Sequence, residues 1–447
     1  MPNSVTIKKQ IRQFKKKIIV SGDKSLSIRW ILFASIAKGI SVAENLLISE
    51  DVMAAIESIK KLGIKVKFEK KRCIIYGNGI DGYKYKKNII LNAKNSGTFG
   101  RLILGLLINC QHSIKLIGDK SLSKRDFKRI SDPLSKFGAN FKLKNYKNLP
   151  LIIKGSSNLK SINYNENKGS AQCKSSVILG ALRSNGTTII KAKKSRNHTE
   201  LICKYLRLPI KINNKKNYDQ IKVSKADKIK PLNYKIPSDI SSSAFFMVLT
   251  ALSKNSQLII KNVNINPSRI GIINILNKMG VKINLINTKI YKGEKNADIE
   301  VLSPKYIKPI NCPANLTSQA IDEFLVIFLV AAKARGVSYF KNLSELDKKE
   351  SPRLKWGSKI LNKMGIKNIV TKDSIKIFGN PDLKIKKNVI IKNYLKDHRI
   401  FMTSVVAALT FGGNWKIHDR DSIKTSFPNF LKIIKKLNQN DKKKKYN

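Results

Sequence analysis

Residues 52–69, VMAAIESIKKLGIKVKFE, carry the pattern that decides the fold. Apolar residues recur three and four positions apart as far as Leu62, as they do along one face of an amphipathic helix. Gly63 then predicts the end of that helix. Residues 64–69 alternate between apolar and polar types, which is typical of a β-strand with one buried face. The stretch therefore predicts a helix, a glycine and a strand, in that order.

Similar endings recur along the chain at intervals of roughly 70–85 residues, too long for a solenoid repeat. A single helix–glycine–strand ending is common in α/β proteins and is weak evidence, but six at a near-regular interval indicate a repeated unit. The interval suits two strand–helix pairs followed by a strand, and six such units make one large toroid or two domains of three. The endings are KKLGIKV, SKFGANF, KYLRLPIKI, NKMGVKI, NKMGIKN and KKLNQN, near residues 66, 141, 212, 283, 368 and 440.

The chain of 447 residues has a net charge of +59, from 88 basic and 29 acidic residues. Such a charge first suggests nucleic-acid binding. However, the lysines are spread along the whole chain, and the composition is also rich in Ile and Asn. The charge run at 441–447, DKKKKYN, is interpreted as a frayed, solvated terminus. We therefore expect no nucleic-acid partner, but a preference for anionic small molecules.

Cysteine and hydropathy patterns predict a cytoplasmic protein that binds no metal and no membrane. The cysteines are odd in number and form no C-x-x-C pair, which argues against a disulfide framework or a zinc site. Residues 1–20 lack the apolar core of a signal peptide. The apolar run at 324–332 is far shorter than the roughly 20 residues that cross a bilayer and predicts a buried helix. The cysteines are Cys73, Cys110, Cys173, Cys203 and Cys312.

Arginine is scarce in this chain, with 14 residues against 74 lysines, so its positions are informative. Its planar fork binds carboxylates and phosphates in a way that lysine does not. Six arginines lie in motif segments, and all but Arg125 are at or just inside a predicted helix start, where anions bind readily. These positions predict a site for a ligand with several phosphates or carboxylates. The six are Arg29, Arg101, Arg125, Arg196, Arg353 and Arg399.

Several segments in the first 250 residues place small polar residues directly before a predicted helix. Gly22 allows a tight turn after an apolar strand, and Gly97 permits close approach of the backbone to a ligand. An ordinary capped helix with solvated charges explains any one of them equally well. The segments are GDKSLSIR (22–29), NSGTFGRL (95–102), SAQCKSS (170–176), SRNHTE (195–200) and PSDISSSAFF (237–246).

Three further segments, in the last third of the chain, place acids beside bases at predicted helix starts. Asp322 and Glu323 head an apolar helix, for which macrodipole capping is the simple explanation. KKESPRL (348–354) brings an acid and two bases within one turn, where a surface ion pair would suffice. KDHRIFMTSVVAAL puts Asp397 and Arg399 at the start of another helix. No metal-ligand cluster and no dinucleotide motif is visible in the sequence.

Taken in order, the motifs GDKSLSIR, NSGT..R, SAQ.KS, IDE, KES..RL and DHRI resemble the 5-enolpyruvylshikimate-3-phosphate synthase family, over about residues 15–430. The resemblance implies an α/β fold of two domains, each of three βαβαββ units of the inverse α/β barrel type. Residues 1–21 and 236–447 would form the domain with both termini, and 22–235 an inserted domain. The active site would lie in the cleft between the two domains.

The resemblance also implies the reaction and the substrates. The 5-hydroxyl of shikimate 3-phosphate attacks C2 of phosphoenolpyruvate, and a tetrahedral adduct then loses phosphate. Neither a metal nor an organic cofactor takes part, and the expected state is a monomer. Lys24, Asp322 and Glu350 are the expected catalytic residues, because the resemblance places them where protons are transferred.

The motif match assigns binding roles residue by residue, and Lys24, Gln172 and Asp322 serve in more than one role. Shikimate 3-phosphate is expected to contact Lys24, Ser25, Arg29, Ser170, Ala171, Gln172, Ser195, Arg196, Asp322 and Lys349. Phosphoenolpyruvate is expected to contact Lys24, Asn95, Gly97, Thr98, Arg125, Gln172, Arg353 and Arg399.

The sequence departs from the family pattern at two motif positions. Asp126 follows Arg125 where the family commonly has proline, and Pro352 replaces an acid in KES..RL. Lys424 is one position out of register with a C-terminal family lysine, so no role is assigned to it. The departures keep an inactive relative open as an alternative.

Two other functions are considered. The sister transferase that acts on UDP-N-acetylglucosamine typically has a catalytic cysteine on a mobile loop, and no cysteine lies beside residues 118–125. An RNA-binding protein would interleave aromatic and basic residues, but aromatics make up 7% of the chain and form no such clusters.

The octapeptide at 22–29 nearly repeats at 118–125 as GDKSLSKR, with seven of eight letters shared. The motif match predicts different roles for the two copies. In the first copy Lys24 and Ser25 contact substrate, whereas in the second only Arg125 does, and Lys120 and Ser121 match no motif residue.

Overall fold

The computed structural model describes residues 3–439. The basic run at 441–447 lies outside the described residues, as does the last residue of the sixth predicted repeat ending. The strands are β1 (Ser4–Ile7), β2 (Lys15–Ile18), β3 (Lys38–Glu44), β4 (Lys65–Glu69), β5 (Arg72–Asn78), β6 (Ile90–Asn92), β7 (Ile114–Ile117), β8 (Asn140–Lys144), β9 (Asn148–Lys154), β10 (Asn163–Glu166), β11 (Thr187–Lys193), β12 (Ile210–Asn214), β13 (Tyr218–Ser224), β14 (Tyr234–Lys235), β15 (Gln257–Asn264), β16 (Lys282–Tyr291), β17 (Glu294–Leu302), β18 (Val337–Phe340), β19 (Asn368–Val370), β20 (Ile375–Phe378), β21 (Asn388–Ile391) and β22 (Asn414–His418).

The α-helices are interspersed with these strands along the chain. They are α1 (Lys24–Ile36), α2 (Glu50–Lys61), α3 (Gly97–Leu106), α4 (Lys128–Ser135), α5 (Ala171–Ala181), α6 (His198–Tyr205), α7 (Ile240–Leu252), α8 (Gly271–Lys278), α9 (Ala314–Gln319), α10 (Phe324–Ala332), α11 (Arg353–Met364), α12 (His398–Phe411) and α13 (Phe430–Asn438).

The chain forms two compact units, each with its own hydrophobic core. Among the described residues, the terminal unit comprises residues 3–21, 238–289 and 295–439, and the inserted unit comprises residues 22–237 and 290–294. This division differs from the predicted boundaries at two places. Residues 236–237 and the hairpin tip 290–294 belong to the inserted unit.

Local contacts explain both differences. The buried Ile236 donates its backbone N–H to the carbonyl of Glu44 at 2.9 Å. At the hairpin tip, Tyr291 accepts a hydrogen bond from the backbone of Lys235 at 3.2 Å. Glu294 and His198, both fully buried, pair at 2.6 Å. Sequence alone could not assign a five-residue hairpin tip to a unit formed by distant residues.

The inserted unit contains three four-stranded sheets that share one topology. Their strand orders are β14-β3-β5-β4, β6-β7-β9-β8 and β10-β11-β13-β12. In each sheet the first two strands are parallel and the others pair antiparallel. Helices α3 and α5 each connect the parallel strands of their own sheet, as the predicted βαβαββ unit requires.

The terminal unit also contains three sheets, with strand orders β16-β17-β15-β2, β18-β20-β19 and β1-β22-β21. Strand β2 pairs in parallel with β15, although the inserted unit separates the two in sequence. The second sheet has three strands, and an isolated parallel bridge from Asn311 to Tyr339 occupies the place of a fourth. Six sheets thus correspond to the six repeat endings seen in the sequence.

Three helices of each unit are buried on nearly all sides. Helices α1, α3 and α5 pack together in the inserted unit, and α7, α10 and α12 pack together in the terminal unit. Beyond their first two turns the sequences of these helices carry no charged residue, so burial of that part on every face is favourable. All nine residues of α10 are buried, which confirms the prediction for the apolar run at 324–332. Across residues 3–439, no helix is long and apolar enough to span a membrane.

Glycine ends several outer helices, as the repeat endings predict. Gly63 follows α2 with φ 85°, Gly280 follows α8 with φ 91°, and Gly365 caps α11 with φ 84°. These angles lie in the left-handed region, where residues with a Cβ are strained. Arg207 takes the same place after α6 with φ 55°, which explains how a helix without glycine ends there.

Candidate active site

Most of the predicted residues of the inserted unit lie at the N-termini of its buried helices. In α1, Asp23 caps the helix by accepting a hydrogen bond from the backbone N–H of Leu26 at 2.9 Å. Lys24 is the first helical residue, and its Nζ lies 2.9 Å from Asp51 Oδ2. Its side chain is 20% exposed, so the ammonium group is accessible to a ligand.

Arg29 lies one turn further into α1 and is held by neutral groups. Its Nε donates to Thr199 Oγ1 at 2.8 Å, its Nη2 to Ser175 Oγ at 3.2 Å, and its Nη1 to the carbonyl of Ser25 at 3.1 Å. Burial lowers the pKa of Arg29 to about 10, and the charge of nearby Glu200 opposes that shift. The guanidinium therefore stays cationic at neutral pH and is pre-oriented for an anion.

Helices α3 and α5 are joined at their N-termini through Gln172. The amide nitrogen of Gln172 donates to Thr98 Oγ1 at 3.0 Å, and its oxygen accepts from Arg101 Nη1 at 2.7 Å. Arg101 also lies over the ring of Phe127, at 5.1 Å from the centroid. Burial lowers the pKa of Arg101 to about 10, and the positive charge of Arg125 lowers it further.

Gly97 lies between two guanidinium groups. A Cβ at this position would lie 3.0 Å from Arg101 Nη1 and 3.1 Å from Arg125 Nη1. Asn95 orients the second guanidinium by accepting a hydrogen bond from Arg125 Nη2 at 3.3 Å. The two like charges beside Gly97 repel each other, and an anionic ligand bound next to them would relieve that repulsion.

Ser170 caps α5, since its Oγ accepts from the N–H of Cys173 at 3.3 Å. Ala171 follows as the first helical residue and is half-buried. Ser195 and Arg196 precede α6 and are also half-buried. These four residues, with Gln172, complete the group that the sequence predicted in this unit.

A buried polar layer supports Arg29 from within the unit. The Thr199 hydroxyl donates to Ser175 Oγ at 2.8 Å, which fixes the two side-chain acceptors of Arg29. Lys174 and Glu200 form an ion pair at 2.7 Å, with side chains only 0% and 3% exposed. These residues lie in the motif segments 170–176 and 195–200, but the motif match predicts no role for them. The apolar residues that follow each motif predict a buried helix, and this signal could have indicated that the polar residues in its first turns are buried as well.

In the terminal unit, Arg353 and Asp397 form the centre of a second group. Arg353 is the first residue of α11, and its Nε donates to Asp397 Oδ2 at 2.9 Å. Ser351 donates to the same oxygen at 2.8 Å, and the other oxygen accepts from the N–H of Arg399 at 2.9 Å. Asp397 therefore caps α12 and holds Arg353 with a single carboxylate.

The carboxylates around Arg353 keep it charged despite complete burial. Burial lowers its pKa, but the charges of Asp397, Glu350 and Asp322 outweigh that effect and raise the pKa overall. Burial alone would raise the pKa of Asp397, yet the Arg353 charge holds it below its ordinary value. The pair is ionised on both sides at neutral pH.

The two predicted proton-transfer carboxylates lie on either side of this arginine. Asp322 Oδ1 is 3.2 Å from Lys349 Nζ and 3.4 Å from Arg353 Nη1. Glu350 is hydrogen-bonded to Arg353 Nη2. The side chains of Asp322 and Glu350 are 13% and 16% exposed, so each retains an accessible surface.

Arg399 is positioned by the loop that precedes α10. Its Nη1 donates to the carbonyl of Asp322 at 2.6 Å and lies 4.0 Å from Glu323 Oε1. Glu323 is buried and accepts a hydrogen bond from Ser241, which in turn accepts one from Arg269 at 2.9 Å. The sequence motifs predict a capping role for Glu323 and give no signal for Arg269.

Within residues 3–439, no group of three or more His, Cys, Asp or Glu side chains is placed to hold a metal ion. The five cysteines are free thiols, and Cys110 alone among them is not buried. Burial raises the pKa of Cys73, Cys203 and Cys312, which disfavours their reactive thiolate forms.

Comparison with known proteins agrees with this geometry. The profile of the family described as EPSP synthase (3-phosphoshikimate 1-carboxyvinyltransferase) matches residues 8–434. A 3-phosphoshikimate 1-carboxyvinyltransferase of Ruthia magnifica is 39% identical over 422 residues, which cover 94% of this chain and 95% of the relative. The chain belongs to the EPSP synthase family.

Solved structures of similar fold support the assignment. The EPSP synthase of Acinetobacter baumannii superposes with a TM-score of 0.86 and 34% identity, covering 97% of both chains. The enolpyruvyl transferase NikO of Streptomyces tendae has a TM-score of 0.76 at 12% identity over 98% of both chains, which shows the fold alone. The predicted family and fold class, a two-domain α/β enolpyruvyl transferase, are confirmed.

The two departures from the EPSP synthase pattern have structural accounts. Asp126 is exposed, and its carboxylate accepts the N–H of Arg129 at 3.4 Å, beside the first turn of α4. Pro352 is the N-cap of α11. An N-cap residue has non-helical backbone angles, which proline tolerates, and Arg353 has its carboxylate partners without an acid at 352.

Proposed function

We propose that this chain transfers the enolpyruvyl group of phosphoenolpyruvate to the 5-hydroxyl of shikimate 3-phosphate, releasing phosphate. Membership of the EPSP synthase family supports the reaction, and the observation that carries it is the pairing of accessible carboxylates with cationic groups. Two polyanionic substrates repel each other, so a site that holds both needs cations fixed in place before binding. The buried arginines meet that requirement.

We assign shikimate 3-phosphate to the residues around Arg29 and phosphoenolpyruvate to the residues around Gly97. The Arg29 guanidinium is oriented by hydroxyls and a carbonyl, so its full charge is available to a phosphate. Ser25, Ser170, Ala171, Gln172, Ser195 and Arg196, with Lys349 and Asp322, supply further contacts to this substrate. Lys24, Asn95, Thr98, Arg125, Gln172, Arg353 and Arg399 join Gly97 in holding phosphoenolpyruvate.

Two carboxylates and one ammonium carry the proton transfers in this proposal. Asp322 accepts the proton of the 5-hydroxyl group while the hydroxyl oxygen bonds to C2 of phosphoenolpyruvate. Glu350 takes up a proton before this step and delivers it to C3, which becomes a methyl group in the tetrahedral adduct. Glu350 then removes a C3 proton as the C2–O bond to phosphate breaks, and Lys24 assists these transfers. That residues of both units act on the same substrates stays a prediction.

A phosphate-release assay with both substrates tests the reaction. We expect release that requires phosphoenolpyruvate and shikimate 3-phosphate together. Turnover with a UDP-sugar and none with shikimate 3-phosphate would reject the proposal, and no turnover with either would favour an inactive relative.

The role of Glu350 is tested by Glu350→Gln. We expect substrate binding to persist and turnover to fall by about 100-fold or more, the scale of losing one general acid–base group. Glu345→Gln, an exposed change in the preceding turn, is the matched control and should leave turnover unchanged. Equal turnover of Glu350→Gln and native protein would remove Glu350 from the mechanism.

The remaining expectations belong to the same proposal. We expect a cytoplasmic monomer without nucleic-acid or membrane partners. An alanine methyl group at Gly97 would crowd Arg101 and Arg125, whereas the glycine leaves both guanidinium groups open to an anion, so we also expect inhibition by glyphosate in the micromolar range at low phosphoenolpyruvate. An inhibition curve that is flat through that range would refute the glyphosate expectation. Sedimentation at micromolar concentration tests the monomer.

A further inference from the structure

A second polar pocket lies in the inserted unit at the opposite ends of α3 and α5. It has a volume of about 350 Å³, and Leu107 and Leu182, the C-caps of the two helices, form part of its wall. The residues proposed to bind substrate lie at the N-termini of the same helices. The ten residues of α3 span about 15 Å, so the pocket is separate from the proposed substrate contacts.

Arg183 provides the polar focus of this pocket. Its side chain is only 3% exposed, and one nitrogen, Nη2, donates to Asp81 Oδ1 at 2.9 Å. The other two nitrogens, Nε and Nη1, are buried and have no hydrogen-bond partner among the described residues. Buried charged donors are nearly always satisfied in proteins, so this half of the guanidinium is set up for an acceptor from outside the chain.

The charges around Arg183 fit a monoanion. Arg183, Lys225 and Asp81 are the ionisable side chains of the lining that are charged at neutral pH, and two cations against one carboxylate leave +1. Burial raises the pKa of the Cys110 thiol and raises those of Tyr83 and Tyr85 to about 12, so these three remain neutral. Asp81 carries a second hydrogen bond, from Asn109 Nδ2 at 2.9 Å, and is 71% exposed.

The remaining wall combines apolar groups with amide side chains. The phenol ring of Tyr83 is buried, and Leu106, Leu159 and Ala226 add aliphatic surface. Lys225 lies at the exposed side, with Nζ 3.4 Å from Asn185 Oδ1. A pocket of this size lies in the range of small-ligand sites.

We propose that this pocket binds a small arylcarboxylate, with the carboxylate on Arg183 Nε and Nη1 and the aromatic ring against the tyrosine and leucine side chains. The planar fork of arginine matches a carboxylate in two parallel hydrogen bonds. The single net positive charge favours a monoanion over a phosphate dianion, and the tyrosine and leucine side chains in the lining offer contact to a ring. The proposal rests on no part of the proposed reaction.

Titration calorimetry of the full-length protein with benzoate tests the proposal. We expect saturable binding of one benzoate, and binding of the isosteric but neutral benzamide at least about tenfold weaker, because it forms no charge-assisted pair. Inorganic phosphate is the third ligand, and we expect it to bind this pocket more weakly than benzoate. Equal affinity for benzoate and benzamide, or Arg183-dependent affinity for phosphate at or above that for benzoate, would overturn the proposed ligand class.

Three variants locate the binding. Arg183→Met should weaken benzoate binding about tenfold or more. Lys225→Glu tests the same site without altering a buried residue, since it changes the pocket charge from +1 to −1, and should abolish binding while turnover is unchanged. Lys222→Met, an exposed change on β13 away from the pocket, is the matched control and should bind benzoate normally.

Benzoate could also bind to the arginines proposed for the substrates, and Arg29→Met distinguishes the two locations. We expect benzoate binding to be unchanged in Arg29→Met. Loss of benzoate binding in Arg29→Met, with retention in Lys225→Glu, would overturn the proposal and place benzoate at the residues proposed to bind substrate.

Discussion

The two copies of GDKSLS begin alike and continue differently. In both, the aspartate accepts a hydrogen bond from the N–H three residues later, Asp23 from Leu26 at 2.9 Å and Asp119 from Leu122 at 2.7 Å. The first cap starts the thirteen-residue helix α1, whereas the second starts a 3-10 turn that ends at residue 124. The same six letters thus fix a cap, but they do not fix the type or the length of the helix that the cap begins.

The seventh letter and the residues beyond it account for the difference. Ile28 is fully buried and is followed by the apolar run that packs α1 into the core, whereas Lys124 is exposed. Lys24 consequently heads a buried helix and contacts Asp51, while Lys120 lies exposed on the surface. A short motif therefore acquires its role from the burial of the residues after it.

We expect the largest difference between the two copies in the effect on turnover of replacing Lys24 and Lys120. Lys24→Met should reduce turnover by about 100-fold or more, since it removes a cation from the proposed reaction centre. Lys120→Met, at the equivalent letter, should change turnover less than about twofold, as expected for an exposed side chain. Steady-state phosphate release measures both, and similar losses would mean that the two copies share one function.

The final arginines of the two copies, Arg29 and Arg125, are proposed to bind different substrates. Arg29→Lys should raise the KM for shikimate 3-phosphate about tenfold, because lysine keeps the charge but loses the planar fork. Arg125→Lys should instead raise the KM for phosphoenolpyruvate by a similar factor. Initial rates with each substrate varied in turn distinguish the two. If both variants raise the same KM, the assignment of one arginine to each substrate is wrong.

A smaller effect is expected from Gly97→Ala, which alters the surroundings of Arg125 but not those of Arg29. The added methyl group would lie about 3 Å from two guanidinium nitrogens, so they must shift. We expect the KM for phosphoenolpyruvate to rise roughly fivefold, a cost typical of modest overpacking, and glyphosate inhibition to weaken. The KM for shikimate 3-phosphate is the internal control, and a rise in that value would contradict the assignment.

We expect the smallest effect on the free energy of unfolding, when the two capping aspartates, Asp23 and Asp119, are replaced. Asp23→Ala should lower the free energy of unfolding by about 1–2 kcal/mol, since the cap is buried and begins a core helix. Asp119→Ala should cost about 0.5 kcal/mol, because that carboxylate is exposed and caps one short turn. Urea unfolding followed by circular dichroism measures both. A larger loss in Asp119→Ala would show that the 3-10 turn, not α1, limits stability.

Much of the fold follows from patterns that are local in sequence. The repeat endings predict six units because a helix of period 3.6 and a strand of period 2 each reveal their buried face in a few residues. The apolar run at 324–332 predicts the buried helix α10 for the same reason. The motif letters at helix starts likewise predict where anion-binding side chains occur, since caps depend on neighbours three residues away.

The sequence by itself therefore determined the repeat, the fold class, the family and the residues proposed to bind substrate. Tertiary structure decided which of those residues share partners, because such contacts join positions far apart in the chain. It brought Thr199 and Ser175 to Arg29, placed Arg101 and Arg125 beside Gly97, and left two nitrogens of Arg183 without a hydrogen-bond partner beside a pocket. Burial removes water as the competing partner for each polar group, so only the folded chain determines which charge is neutralised and which is left for a ligand.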